Sequence, residues 1–311
     1  MRSIAALLLL VGCVEYVIGA PDEETLPPTV VEERFFQEAL PRLDVLFVVD
    51  GTGSMEEEQA SFADAAEDFV EVLEDLGIAY QIGVTSTDPA ADGTLLGRPW
   101  IITGAAEDPA RALADALEVG TTSPPPSAGL YTALRALSDV QGLNRGFRRA
   151  DTGLHVVFLS DGDDQSDDLL GSDPVGAFLD VLDAEAAASG RVARASAIVG
   201  DTPDGCTGPS GTATPGARYV DAAARTGGVT ASICAADFAE VALALGDAAV
   251  EWSTVFPLQA VPAEGSVLVE LDGVRISEGW SVDAALPALV FDVPPPADAE
   301  IEVVYTVEEE G

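Results

Sequence analysis

The chain contains no lysine. Its 14 basic residues are all arginine, set against 54 Asp+Glu, and the formal net charge is −40 over 311 residues. Phosphate recognition needs basic contacts, so this balance excludes a nucleic-acid role. The lack of lysine also excludes a P-loop, which requires Gly-Lys-Ser/Thr. There is one histidine, His155, inside the apolar run Leu154–Ser160. A Ser-His-Asp triad therefore has no free base, and His155 reads as a packed strand residue. The run Val48-Val49-Asp50-Gly51-Thr52 superficially suggests a dehalogenase-type phosphatase. The position of the nucleophilic aspartate is Val48, and the lysine of that chemistry is missing. The acid itself reads as a heavily solvated surface suited to salt water, where screening limits self-repulsion.

Cysteine is also scarce, with three in all. Arg2 and the apolar run Ile4–Gly12 form a short leader, below the roughly 20 residues needed to span a bilayer. It ends in Leu10-Val11-Gly12-Cys13, which resembles a bacterial lipobox with Cys13 as the lipidated residue. The alternative is an ordinary signal peptide cut after Ala20. Either leader exports the chain. In an oxidising compartment Cys206 and Cys234 read as a disulfide, the alternative being two buried thiols.

What is present falls into four segments: a leader (1–13), an acidic, proline-containing tether (14–41), a main domain (42–252) and a small β unit (253–311). At 48% hydrophobic, the chain suffices for one large core and a smaller one. From Leu43 strands and helices alternate. The continuous apolar run Val45–Val49 predicts a parallel strand covered on both faces. Helical spacing of Phe62, Ala66, Phe69, Leu73 and Leu76 predicts one helix between Met55 and Gly77. Further strands are expected at Ile78–Thr87, Trp100–Ile102, Leu154–Asp161, Ala193–Gly200 and Val229–Cys234. Further helices are expected at Asp108–Val119, Ala128–Val140, Val175–Ala188, Ala217–Arg225 and Phe238–Val250. The pattern is that of a doubly wound, mostly parallel α/β sheet flanked by helices. After Trp252 the period changes to two, with Gly and Pro turns, which predicts a helix-free β unit over Phe256–Val307.

In such sheets ligands bind beyond the carboxyl ends of strands where the strand order reverses. Two expected strands end in aspartate, at Asp50 and Asp161. With the order 3-2-1-4-5-6 they face each other across that crevice. The loop Val119–Leu130 between them brings Thr121 and Thr122, and Asp50 is followed by Thr52 and Ser54. Carboxylates and hydroxyls without His or Cys are hard oxygen ligands, suited to Mg²⁺ or Mn²⁺ rather than zinc. The alternative is purely local, with Asp50 capping a helix and the two hydroxyls satisfying a turn.

Asp50-x-Thr52-x-Ser54, followed by Met55, resembles the Asp-x-Ser-x-Ser signature of von Willebrand factor A domains, whose metal-ion-dependent adhesion site holds Mg²⁺. The resemblance spans about Leu43–Val250. It implies Thr52, Ser54 and Thr121 as direct ligands, with Asp50 and Asp161 acting through bound water. It also implies one open coordination position, filled by an acidic side chain of a partner. Thr52 stands where serine is usual, Pro124-Pro125-Pro126 stiffens the second loop, and the choice between Thr121 and Thr122 stays open. The leader, "YQIGVTSTD", "VVFLSDGDDQS", "RYVDAAARTGG" and the terminal β segment are similar to predicted myxobacteria-type lipoproteins carrying this domain. Asp161–Asp168 superficially suggests a calcium loop but has Ser166 and Ser172 where Gly and Glu are needed. Asp163, Asp164, Asp167 and Asp168 read mainly as a solvated rim, with Ca²⁺ as a secondary contact. The expected function is non-enzymatic, Mg²⁺-bridged binding of a protein or peptide that presents an acidic residue, by a lipid-anchored protein of a bacterial envelope. The alternative is an envelope assembly component that works through the terminal β unit with a vestigial metal site.

Overall fold

The computed structural model describes residues 29–37, 42–138, 142–250, 252–283, 285–296 and 298–307. Cys13 and the leader lie outside them. The described chain falls into two compact units, a larger one of Phe36–Val255 with Phe291–Ala299 and a smaller one built from both ends of the sequence. Strand β1 (Thr29–Phe36) opens the described chain and belongs, up to Phe35, to the smaller unit. The expected tether over 14–41 is thus corrected in this part. Val31, Glu33 and Phe35 turn inward while their neighbours stay exposed. The inward acid, Glu33, hides the apolar alternation from a reading of the sequence.

The larger unit is doubly wound. Its strands are β2 (Arg42–Val49), β3 (Ala79–Ser86), β4 (Gly153–Ser160), β5 (Ala193–Val199), a short hairpin β6 (Cys206–Gly208) and β7 (Gly211–Ala213), and β8 (Thr230–Ser232). The central sheet runs β3-β2-β4-β5-β8, and every pairing is parallel. Central β2 shows why its sequence is apolar without a break. Val45, Phe47 and Val49 enter one core, and Leu46 and Val48 enter the other. Alternate residues thus serve opposite faces, and helices cover both.

The helices are α1 (Glu56–Asp64), α2 (Ala66–Asp75), α3 (Pro109–Leu117), α4 (Gly129–Ser138), α5 (Asp167–Leu170), α6 (Pro174–Ser189), α7 (Ala217–Thr226) and α8 (Ala239–Ala249). Phe62 and Phe69, from α1 and α2, pack on Phe47. Phe178 and Tyr219, from α6 and α7, pack on Phe158 of β4. Aromatic pairs of this kind add to the area they bury.

Two expectations are corrected here. The helix expected between Met55 and Gly77 is broken at Ala65, which leaves the helical region with φ −91° and ψ 5°. The strand expected at Trp100–Ile102 is reduced to an antiparallel bridge between Ile102 and Ile82 on β3. The bridge still occupies the expected third place at the sheet edge. The order therefore reverses between β2 and β4, as the sequence pattern requires.

The smaller unit contains β9 (Val255–Pro257), β10 (Leu268–Leu271), β11 (Val274–Ile276), β12 (Trp280–Asp283), β13 (Ala288–Phe291) and β14 (Glu300–Val307). One sheet runs β1-β14-β10-β11 and another β12-β13-β9. Inside it, Tyr305 donates to Glu33 Oε1 at 2.5 Å, and Gln259 N donates to the same oxygen at 3.0 Å. The buried acid of β1 is satisfied by these donors.

Candidate metal centre

The candidate site lies where β2 and β4 end side by side. Asp50 is 1% exposed and carries on the ladder, its N–H bonding to Leu159 O at 2.8 Å. Its carboxylate accepts three hydrogen bonds. Thr52 N donates to Oδ1 at 2.9 Å, Ser160 Oγ to Oδ2 at 2.6 Å, and Ser127 Oγ to Oδ2 at 2.9 Å. Ser127 has one proton to share between Asp50 and Thr87 Oγ1, which lies 2.7 Å from its Oγ.

The Asp50–Thr52 bond folds the chain back into a tight turn. That turn brings the Thr52 and Ser54 hydroxyls within 3.4 Å of each other. The Ser54 hydroxyl lies near enough to the Asp161 side chain to favour its charged form. Burial pushes the Asp161 carboxyl above its usual range, and the charge of Asp50 pushes the same way against the effect of the Ser54 hydroxyl. Asp161 is held from behind by two backbone contacts. Its N–H meets Met55 Sδ at 3.2 Å, and its carbonyl accepts from Thr214 N at 2.9 Å.

The second loop is stitched to the first. Ser123 N donates to Gly51 O at 2.9 Å. The approach is close: a Cβ on Gly51 would stand 2.4 Å from Ser123 Oγ and 3.2 Å from Ser123 Cβ. Gln59, on α1, donates to Asp50 O at 2.7 Å and to Gly120 O at 3.0 Å, and accepts from Gly120 N at 3.3 Å. Thr121 follows directly, its carbonyl 3.6 Å from where a Cβ on Gly53 would be. Thr121 is half-buried and Thr122 exposed. Among the described residues the Thr121 hydroxyl makes no hydrogen bond to Asp50, Thr52, Ser54 or Asp161.

Asp50, Thr52, Ser54 and Asp161 therefore converge, and Thr121 arrives beside them by its backbone. Sequence reading missed four neighbours. Ser127 and Ser160 hold Asp50, Gln59 ties the loops, and Glu58 lies buried one turn after Ser54. The one available signal was position: Ser160 adjoins Asp161, and Glu58-Gln59 follow Ser54 at helical spacing.

The acidic rim is corrected. Asp164 is buried, accepting from Leu130 N at 2.9 Å, Ser166 N at 2.9 Å and Ser166 Oγ at 2.8 Å. It ties α4 to the loop after β4, so it is structural rather than solvated. Arg218 donates to Asp167 at 2.6 and 2.8 Å, and its backbone N–H to Asp163 at 2.9 Å. That pairing holds the Asp167 carboxyl below its usual range. Asp168 alone of the four is exposed and unpaired among the described residues. Cys206 and Cys234 form the disulfide, and no helix among the described residues is long and apolar enough to cross a membrane.

Among the described residues no three Asp, Glu, His or Cys side chains cluster closely enough to hold an ion by themselves. The site's donors are two carboxylates and two hydroxyls, all hard oxygens. That set fits Mg²⁺ or Mn²⁺ and not zinc.

No protein-family model matches the chain, and no curated protein does. Several solved structures resemble it. A von Willebrand factor type A protein from Catenulispora acidiphila is 14% identical, with 93% of this chain and 67% of that one covered, at a TM-score of 0.38. Proximal thread matrix protein 1 of the mussel byssus is 13% identical, with 68% and 49% covered, at 0.42. The pilus adhesin SpaC from Lactobacillus rhamnosus GG is 12% identical, with 91% and 42% covered, at 0.36. The chain spans about half the length of the latter two. The doubly wound α/β fold stands on the strand order and register given above.

Proposed function

We propose that this protein is a non-enzymatic, divalent-cation-dependent binding protein that captures an acidic side chain of a protein or peptide partner. The observation that carries this reading is the convergence of Asp50, Thr52, Ser54 and Asp161 at the switch point of the sheet, with Asp161 facing the charge of Asp50. Two neighbouring carboxylates, Asp50 buried and Asp161 half-buried, favour a cation beside them. Thr52, Ser54 and Thr121 would hold Mg²⁺ or Mn²⁺ directly, with Asp50 and Asp161 supporting through water. When bound, the ion supplies an open coordination position for a carboxylate. The residues of this chain do the rest. Ser127 and Ser160 fix Asp50, and Gln59 fixes the spacing of the two loops. The body is strongly negative, so a partner face with basic residues around one central acid fits best.

The reading extends to location: an exported protein anchored by lipid on Cys13 to a bacterial envelope membrane. Replacing Cys13 with alanine should release it from membranes, and full retention would refute the anchor.

Thermal unfolding in EDTA, Mg²⁺, Mn²⁺ and Ca²⁺, beside Asp50→Ala, tests the metal site. An ion at a hundred times its dissociation constant stabilises by about 2.7 kcal/mol. A Mg²⁺ or Mn²⁺ shift that vanishes in Asp50→Ala supports the reading. Its absence from the native chain removes the metal, and with it this mode of binding.

A further inference from the structure

We infer that the segment after β3 carries a second binding site, a cleft that takes an acidic residue and its apolar neighbour from a peptide segment of a partner. The inference stands apart from the metal centre. The cleft holds about 480 Å³ and is lined by Leu95, Gly97, Arg98, Pro99 and Trp100. Backbone ties pin this segment to edge strand β3 at two places. Leu96 N donates to Val84 O at 2.8 Å, and Ile82 and Ile102 exchange both their backbone bonds at 2.8 Å. Residues 97–101, between the ties, make no backbone hydrogen bond to β3 among the described residues. Gly97, at φ +87°, backs onto α3 so closely that a Cβ there would stand 2.8 Å from Ala116 Cβ. Buried Asn144 accepts from Leu95 N at 3.0 Å and donates to Gly93 O at 2.8 Å. The cleft is thus held in place before a ligand arrives, which lowers the cost of binding.

Leu95 is 5% exposed and belongs to the core, whereas Trp100 is 45% exposed and Arg98 and Pro99 also face solvent. Among the described residues Arg98 makes no ion pair or hydrogen bond, and the Trp100 indole N–H has no acceptor. The chain carries 54 acids, yet none of the described ones pairs with Arg98. The polar side-chain groups of the cleft are therefore both donors, and both are free. A carboxylate matches them, since it accepts parallel N–H bonds from the planar guanidinium fork. Trp100, Pro99 and Leu95 offer apolar surface to the residue beside that acid, and covering an exposed indole is favourable. Tryptophan and arginine are enriched among the residues that carry the binding energy of protein interfaces. Charge complementarity selects the occupant. The acidic surface elsewhere repels an acidic segment, and this donor pair attracts one.

The test is isothermal titration calorimetry of the purified chain in EDTA with a capped peptide containing Asp-Phe. EDTA removes any bound cation, so the result does not depend on the metal centre. The native chain should bind the peptide saturably at millimolar concentration. The same peptide with Asn-Phe should bind roughly tenfold more weakly, the loss of one charge-assisted pair. Arg98→Gln should weaken the Asp-Phe peptide by about the same factor. Trp100→Leu should weaken it too. Both side chains are exposed, so the thermal midpoints of the two variants should match the native one. Added NaCl should weaken the Asp-Phe peptide and leave the Asn-Phe peptide unchanged. If Trp100→Leu lowers the midpoint, Arg98→Gln alone decides. No saturable binding to the native chain overturns the proposal. So does equal affinity for the two peptides, or native affinity in Arg98→Gln. Tighter binding of glucuronate than of the peptide places an acidic sugar in the cleft and overturns the peptide assignment. Peptide binding in EDTA by a chain that shows no Mg²⁺ or Mn²⁺ shift supports this site while the metal reading falls.

Discussion

Ser160 donates to Oδ2 of Asp50 at 2.6 Å, tying the last residue of β4 to the first residue beyond β2. The bond crosses the two central strands where the sheet order reverses. It fixes the direction of a carboxylate that Thr52 N and Ser127 also hold. Ser160→Ala removes a donor to a buried charge, a loss of about 1–3 kcal/mol. Urea unfolding should show that loss, and Mn²⁺ affinity should fall with it because Asp50 is less well aimed. Unchanged stability together with unchanged affinity would mean that Ser127 alone suffices.

The sequence carried the fold further than it carried the site. Apolar runs ending in Asp50 and Asp161 were enough to place two strands and the crevice between them, because burial on both faces leaves no other pattern. Strand β1 was not legible, since its inward Glu33 is satisfied by Tyr305, 272 residues away in sequence. The break at Ala65 has no Gly or Pro to announce it. Within the site, Asp50, Thr52, Ser54 and Asp161 follow a spaced pattern. Ser127, Gln59 and Glu58 do not, because their roles depend on which loops meet in space. Asp164 was read as solvated because its neighbours are acidic. Its partners are backbone N–H groups and Ser166, and a sequence does not display such donors.

Asp44 lies toward the other end of β2 and anchors the chain without touching the candidate centre. Its side chain is wholly buried, with Arg148 Nη1 at 2.5 Å, Arg149 Nε at 2.7 Å and Arg149 N at 2.9 Å. Burial raises its carboxyl above the usual range even against two guanidinium groups. Asp44→Ala removes the carboxylate that both arginines share, leaving Arg148 with Glu185 and Arg149 with the Leu43 and Ala79 carbonyls, and breaking a buried pair from one side costs about 3–5 kcal/mol. Six residues separate Asp44 from Asp50, roughly 20 Å along a strand. Stability should therefore drop steeply in urea unfolding while the folded fraction keeps its Mn²⁺ affinity. Loss of affinity in folded protein would show that the two ends of β2 are coupled.

His155 gives a pH dependence whose sign can be worked out. It is fully buried in β4, with Nε2 2.7 Å from Ser196 Oγ and Nδ1 unpartnered. Burial, with Arg194 adding to it, lowers its pKa from 6.5 to about 3. The folded chain thus keeps the imidazole neutral where the unfolded chain protonates it. The stability it contributes is complete above about pH 6.5 and is lost as pH falls toward about 3. Between those limits the unfolded state holds one more proton, and the slope is about 1.36 kcal/mol per pH unit. Carboxylates titrate in the same range, so the comparison is with His155→Leu, which fills the space without a proton site. The stability difference between the two proteins should shrink in favour of the variant by that slope as pH drops from 6 to 4. An NMR titration of the native His155 ring should show no change above about pH 4. A midpoint near 6.5 would mean that water reaches the ring and that the core between β4 and β5 is looser than its packing indicates.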